Sequence, residues 1–169
     1  MKITLKSCLS VLAFVFFAVA IGMFALSFVD GQAVVLAKTE YKSVATGFQL
    51  VFGQVDHLEY SKALGTLFAF IFVVVGVLAA CYATLVNFKS KKSKKGNKNA
   101  KLLCACSTFI VCGLVPALLL FLTCQTTGFT SATAFEGFVG ANFRLGIGSI
   151  LAAVFSLVGA CSLSVALAK

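Results

Sequence analysis

Charged residues are scarce in this chain, and their scarcity excludes an ordinary water-soluble domain. They make up 11% of the 169 residues, whereas hydrophobic residues make up 60%. In soluble domains about 25% of residues are charged. A chain surrounded by lipid must satisfy its own backbone hydrogen bonds, as helices or as a closed barrel. The apolar runs here are continuous rather than alternating, which favours helices over barrel strands.

Residues that commonly carry chemistry are also missing. The apolar runs contain no Asp, Glu, Lys, Arg or His, although transporters and proton pumps usually keep an ionisable residue within the membrane. The rotary proteolipids, for example, need a mid-membrane carboxylate. The single histidine cannot build a His-rich metal centre, and no Ser-His-Asp or Glu-x-x-His arrangement occurs. We therefore expect no enzyme, no catalytic residue, no metal and no cofactor.

What is present is organised by four apolar runs, at 7–29, 63–88, 102–124 and 145–168. About 20 apolar residues cross about 30 Å of hydrocarbon as a helix. The sequence therefore predicts an all-α membrane protein, folded as one four-helix bundle without a second domain.

The first run could instead be a secretory signal. It is longer than the apolar core of about 7–15 residues in such signals, and Phe24-Ala25-Leu26-Ser27 is a poor cleavage site. Cleavage stays an alternative.

Half of the basic residues lie in segment 89–101, between the second and third runs, and this segment contains no acid. Short basic loops stay on the cytoplasmic side. This predicts both termini inside, loops 30–62 and 125–144 outside, and a place in the plasma or cell membrane. Nucleic acid is not expected, because no aromatic residue is interleaved for base stacking. Anionic lipids on the cytoplasmic side are expected to bind these lysines: Lys89, Lys91, Lys92, Lys94, Lys95, Lys98 and Lys101.

The second and fourth runs resemble each other. Residues 64–76 align without a gap on 147–159, with identical Gly, Ala, Phe, Val and Gly. Upstream, Thr46-x-Phe48-Gln49 corresponds to Thr133-x-Phe135-Glu136 in a shifted register. Because both runs would cross in the same direction, a duplication would give parallel repeats about an axis along the membrane normal. The alternative is chance similarity between two apolar helices.

Small residues recur at every fourth position of the fourth run. Within lipid, small side chains let two helices approach closely, so this seam predicts a helix contact, in the same chain or with another copy. The third run contains the only proline, Pro116, which predicts a helix kink or a packing adjustment. The seam consists of Gly148, Ala152, Ser156, Ala160, Ser164 and Ala168.

The first outer loop is too long for a simple connector. Residues 33–36 have a strand-like composition, and residues 43–55 mix Phe and Gly with polar residues. These features predict a small ordered cap, built from a short strand pair or an interfacial helix. Arg144 is the only arginine and stands beside the fourth run, where we expect it to contact a lipid headgroup. His57, with Asp56 and Glu59, could suggest a metal site, but no second ligand set is near.

The seven cysteines offer no pair in the outer loops. This excludes the four-helix membrane enzymes that generate disulfides, which need such a pair. Most of these cysteines lie in or beside apolar runs and are expected to behave as small hydrophobic residues. Cys8, Cys104 and Cys106 stand at the predicted cytoplasmic boundary and are candidates for S-acylation in a eukaryotic host.

The layout of a long first outer loop, a shorter second one and both termini inside resembles claudin-type tetraspans in outline. The tryptophan motif and the cysteine pair of that family's first loop are absent, because the chain has no Trp and loop 30–62 has no Cys. We expect a non-enzymatic interaction, scaffold or accessory protein that binds lipids and another membrane protein or further copies of itself. The alternative is an oligomeric channel or small-solute transporter, with the small-residue face of the fourth run lining the path.

Overall fold

The computed structural model of the protein describes residues 5–35, 38–53, 63–89, 98–123 and 138–168. Four of its helices are long and apolar enough to cross a membrane, which confirms that part of the prediction. Their outward surfaces carry large exposed apolar side chains such as Leu78, Leu103 and Val154. The elements in chain order are α1 (Leu5–Met23), β1 (Ser27–Val35), β2 (Lys38–Thr46), α2 (Gly47–Phe52), α3 (Leu64–Lys89), α4 (Lys98–Phe109), α5 (Val115–Phe121), β3 (Phe138–Leu145) and α6 (Ile147–Ala168).

Helix α1 lies between α3 and α6 and packs on both. The fully buried ring of Phe17 touches a glycine on each side. A Cβ atom added at Gly76 of α3 would lie 2.6 Å from this ring, and one added at Gly159 of α6 would lie 3.2 Å away. Because glycine leaves space that any other residue would fill, these two positions allow a phenylalanine into the centre of the bundle.

The third long helix, Lys98–Phe121, is interrupted by a π-helical turn at Ile110–Leu114, between α4 and α5. The backbone N–H of Val115 donates to the carbonyl of Ile110, five residues earlier. The buried Pro116 follows directly. Proline has no N–H to donate and its ring crowds the carbonyl four residues back, so a wider turn relieves that crowding. A kink at Pro116 stays a prediction.

Helix α1 ends at Met23, earlier than the apolar run that extends to residue 29. The chain leaves the helix through short i→i−3 hydrogen bonds from Phe24, Ala25 and Leu26, and Ser27 then begins β1. Apolar composition suits both a membrane helix and a buried strand, so it could not place this boundary. The third apolar run starts at residue 102, but its helix, α4, already begins at Lys98.

The loop after α1 and the loop before α6 form one three-stranded antiparallel sheet, in the order β2-β1-β3. Helix α2 follows β2 and starts with a capping box, in which Thr46 and Gln49 satisfy each other's backbone N–H groups. It ends at Phe52 and is followed by Gly53, whose φ of 72° is readily adopted by glycine. The first loop therefore contains both a strand pair and a short helix. We call β1, β2, β3 and α2 the cap.

Phenylalanine rings join the cap to the bundle. Phe24 and Phe28 are fully buried, with ring centroids 4.7 Å apart. Phe24 also contacts Phe70 of α3 at 5.2 Å and Phe48 of α2 at 6.1 Å. Such aromatic pairs bury a large apolar area and restrict how the rings are oriented relative to each other. This end of the bundle is called the cap end, and the opposite end, where α3 ends and α4 begins, is called the lysine end.

Candidate interaction surface

A cluster of polar side chains connects all three strands on one face of the cap. Asp30 in β1 is directly opposite Arg144 in β3, and Gln32 in β1 is opposite Tyr41 in β2. Side chains alternate between the two faces of a strand, so Asp30 and Gln32 share one face. The register therefore brings residues from both inter-helix loops together.

Arg144 is the centre of this cluster. Its Nε atom lies 3.5 Å from Oδ2 of Asp30, and its Cζ atom lies 3.8 Å from the centroid of the Tyr41 ring. Ser27 donates a hydrogen bond of 2.5 Å to Asp30 Oδ1, and Gln32 Nε2 donates one of 3.1 Å to the Tyr41 hydroxyl. The guanidinium therefore has an anionic partner and an aromatic partner within the cap.

The cluster is still open to its surroundings. The side chain of Arg144 is 56% exposed and that of Asp30 is 17% exposed, while Tyr41 is 41% exposed. An ion pair this exposed stabilises by only about 0.2–1 kcal/mol. The ion pair thus contributes little to the stability of the bundle. A headgroup contact of Arg144 stays a prediction, and it would have to be made alongside these two contacts.

The small residues of α6 lie at different depths in the structure. Gly148, Ala152, Ser156 and Ala160 are buried, Ser164 is half-buried and Ala168 is exposed. A Cβ atom at Gly148 would lie 2.8 Å from the backbone oxygens of Met23 and Ser27, so this part of α6 contacts the end of α1. The Ser156 hydroxyl donates to its own helix, at the Ala153 carbonyl. The buried part of the seam is therefore covered by the same chain.

One contact between helices had no counterpart among the sequence-based expectations. The buried Ser149 hydroxyl donates a hydrogen bond of 2.7 Å to the carbonyl of Leu120. Helix α5 ends at Phe121, and the Leu120 carbonyl in its last turn also accepts the backbone N–H of Leu122. The usual N–H partner four residues on is missing at a helix end, so Ser149 of α6 adds a second donor to this carbonyl and caps α5. The only signal in the sequence was a hydroxyl near the start of an apolar run.

At the lysine end, Lys98 is exposed and Lys101 is half-buried, both on α4. Lys89 is the last residue of α3. Cys8, Cys104 and Cys106 are exposed free thiols. The described residues include no group of three or more His, Cys, Asp or Glu residues that could hold a metal ion. Outside the described residues lie Lys91, Lys92, Lys94, Lys95, Asp56, His57, Glu59 and Glu136.

Comparison of the chain with protein-family models, with curated proteins and with solved structures gave no match. A function has to be argued from the residues themselves.

Proposed function

We propose that this protein is a non-enzymatic tetraspan membrane protein whose cap binds another membrane protein, as a scaffold or accessory subunit. In this proposal the cap is outside, while both termini and segment 89–101 face the cytoplasm of a plasma or cell membrane. The lysine bias of that segment supports the orientation, because positive loops are retained inside. In that orientation the positive charge of the segment is attracted to the anionic cytoplasmic leaflet.

The observation that carries the proposal is the Arg144 cluster. Two separate loops are joined into one folded surface, although ordering each residue of a loop costs about 1–2 kcal/mol. The surface presents Arg144 and Tyr41, each more than a third exposed. Arginine and tyrosine are enriched among the residues that dominate binding energy at protein interfaces. A surface ordered before binding also loses less entropy when a partner docks.

The packing of α6 favours this function over a channel lined by that helix. A path along α6 would need its polar face to be open, but Ser156 is fully buried and its hydroxyl is satisfied within the helix. Ala160 faces Gly113, where a Cβ atom would come within 2.6 Å of the Ala160 side chain. Within one chain, these contacts leave no space beside Ala160 for a solute.

The burial pattern of α3 and α6 supports the proposed duplication. Most positions paired by the ungapped alignment of 64–76 with 147–159 have the same degree of burial, and Gly76 and Gly159 contact the same ring of Phe17. Two copies of one unit would keep equivalent faces toward α1, as these helices do. The buried pairs are Gly65 with Gly148, Thr66 with Ser149, Ala69 with Ala152, Val73 with Ser156 and Gly76 with Gly159.

A photo-crosslinking amino acid at Ser43 tests the partner. Ser43 is exposed and pairs with Asp30 in the sheet. We expect crosslinking to one discrete protein in native membranes, reduced about tenfold by Arg144→Gln, since loss of an interface arginine often costs more than 1 kcal/mol. The matched position is Tyr82, which is 71% exposed on α3 and should not crosslink that protein. Equal crosslinking from Ser43 and Tyr82, or no effect of Arg144→Gln, would contradict the proposal.

Purified chain in sealed proteoliposomes tests the channel alternative. We expect no flux of ions or small solutes above that of protein-free vesicles. Flux that Ser156→Phe abolishes, while the lipid-facing Val154→Phe leaves it intact, would establish a path along α6 and overturn the proposal.

Protease added to sealed cells tests the orientation. We expect no cleavage between residues 89 and 101, because that segment faces the cytoplasm in the proposal.

A further inference from the structure

The lysine end contains an apolar cleft between α4 and α6. Its volume is about 370 Å³ and its lining is almost wholly apolar. This volume falls within the range of about 300–1,000 Å³ that is typical of ligand pockets. The lining includes Ala105, Cys106, Phe109 and Ile110 on one side, and Ser164, Val165 and Ala168 on the other.

The cleft follows from where the two helices meet. Their close approach is at Gly113 and Ala160, where a Cβ atom on the glycine would lie 2.6 Å from the alanine side chain. Farther toward the lysine end, Ala105 and Ala168 are too small to fill the space between the helices. Ala105 is 4% exposed, at the base of the cleft, whereas Ala168 is exposed at its rim.

Two cations stand above the cleft on the same helix. Lys101 precedes Ala105 by one helical turn and Phe109 by two, so the three residues share a face of α4. The four residues from Lys101 to Ala105 correspond to a rise of about 6 Å. Lys98 lies almost one turn farther from the cleft. Long lysine side chains extend toward the headgroup layer while their stems cover apolar surface, and Lys101 is half-buried here.

We propose that this cleft binds one anionic glycerophospholipid, with an acyl chain between α4 and α6 and the phosphate against Lys101 and Lys98. The inference depends on the proposed function only for the placement of the lysine end among lipid headgroups. An acyl chain matches the apolar lining, and an anionic headgroup matches the two ammonium groups one and two turns above it. A free phosphate would match only the lysines.

A second copy of the chain fits the cleft less well than a lipid does. Copies in one membrane with the same orientation would meet about an axis along the membrane normal, with the same patch on both sides. That arrangement would bring Lys98 and Lys101 of each copy toward the same residues of the other. Like charges at one level repel each other, and no acidic residue lies in segment 89–101 to compensate.

The test is lipid retention by the purified full-length chain, measured by native mass spectrometry after release from nanodiscs. The nanodiscs contain equal amounts of phosphatidylglycerol, which is anionic, and phosphatidylcholine, which is zwitterionic. We expect one retained phosphatidylglycerol per chain, and at least a tenfold loss with Ala168→Phe, which fills the cleft from its exposed rim. Leu118→Phe, which is 53% exposed on α5 away from the cleft, is the matched control and should retain the lipid.

The charge contribution is measured with the double variant Lys98→Gln and Lys101→Gln. We expect the preference for phosphatidylglycerol over phosphatidylcholine to fall about tenfold, whereas Lys42→Gln in the cap leaves it unchanged. Circular dichroism confirms that each variant is folded. The proposal is overturned if the wild-type chain retains no lipid, if Ala168→Phe retains as much as Leu118→Phe, or if Ala168→Phe instead abolishes a two-chain species. Because no partner protein is present, the result is independent of the crosslinking at Ser43.

Discussion

The cap end and the lysine end of the bundle are held together by different kinds of contact. At the cap end, fully buried aromatic rings, a hydrogen bond between helices and the sheet connect distant parts of the chain. At the lysine end, the hydroxyls of Ser107 and Thr108 bond only to the Cys104 carbonyl of their own helix. The buried side chains there, such as Ala80, Ala83 and Leu163, are aliphatic rather than aromatic.

This difference matches the two proposed tasks, protein binding at the cap end and lipid binding at the lysine end. A surface that recognises a protein needs fixed side-chain positions, which packing and hydrogen bonds provide at the cap end. A surface that faces lipid needs apolar area and positive charge near the headgroups, and neither requires a precise arrangement. The lysine end therefore tolerates a cleft between α4 and α6 that the cap end would fill with phenylalanine.

The largest expected effect tests whether the cap end carries most of the packing energy. Phe24 is fully buried among Phe28, Phe70 and Phe48. Phe24→Ala should lower the free energy of unfolding by about 3–5 kcal/mol, because it leaves a cavity in the core. Phe109→Ala at the cleft, where the ring is half-buried, should lower it by less than half as much. Unfolding in mixed detergent micelles measures both, and equal losses would remove the contrast between the two ends.

The next effect tests whether close backbone contact, rather than the helix itself, makes the cap end rigid. At Gly148 an added methyl group would meet the backbone oxygens of Met23 and Ser27 at 2.8 Å, and backbone cannot move aside easily. Gly148→Ala should therefore destabilise by about 1–3 kcal/mol. Gly22 has no neighbour within 4 Å of an added Cβ, so Gly22→Ala should be neutral or stabilise by about 0.5–1 kcal/mol. Unfolding in mixed detergent micelles measures the change in unfolding free energy for both variants. Similar changes for Gly148→Ala and Gly22→Ala would contradict this explanation.

The four long helices were easier to predict from the sequence than the cap. Four helices follow from the length of the apolar runs, because hydrocarbon leaves the backbone few alternatives. The end of α1 at Met23 did not follow, since Phe28 and Val29 are as compatible with a membrane helix as with a strand. Strand β3 was missed because its partner, β1, is more than a hundred residues away in the chain. Sequence patterns report local periodicity and carry little information about such pairing.

The polar cluster illustrates the same limit. Arg144 could be singled out because it is the only arginine, but its partners could not. Asp30 and Tyr41 are near it only because the strand register places them there. The capping box of α2 is the opposite case, because Thr46 and Gln49 are three residues apart and their contact is local.

The smallest effect compares two serines that donate hydrogen bonds to carbonyls at opposite ends of the bundle. Ser149 bonds to Leu120 of another helix and is buried, whereas Ser107 bonds to Cys104 of its own helix and is exposed. Ser149→Ala should destabilise by about 1 kcal/mol, the usual size of a hydrogen bond between membrane helices, and leave the carbonyl of Leu120 without this donor. Ser107→Ala should change stability by less than about 0.5 kcal/mol.

Unfolding in micelles gives both values, and hydrogen exchange at the amides of α5 localises the effect. If Ser149 caps α5, exchange should become faster in the last turn of α5 in Ser149→Ala and stay unchanged in α4. A loss of stability without faster exchange in α5 would show that Ser149 acts through packing instead. An equal loss from Ser107→Ala would mean that hydrogen bonds within a helix stabilise the lysine end as strongly as bonds between helices stabilise the cap end.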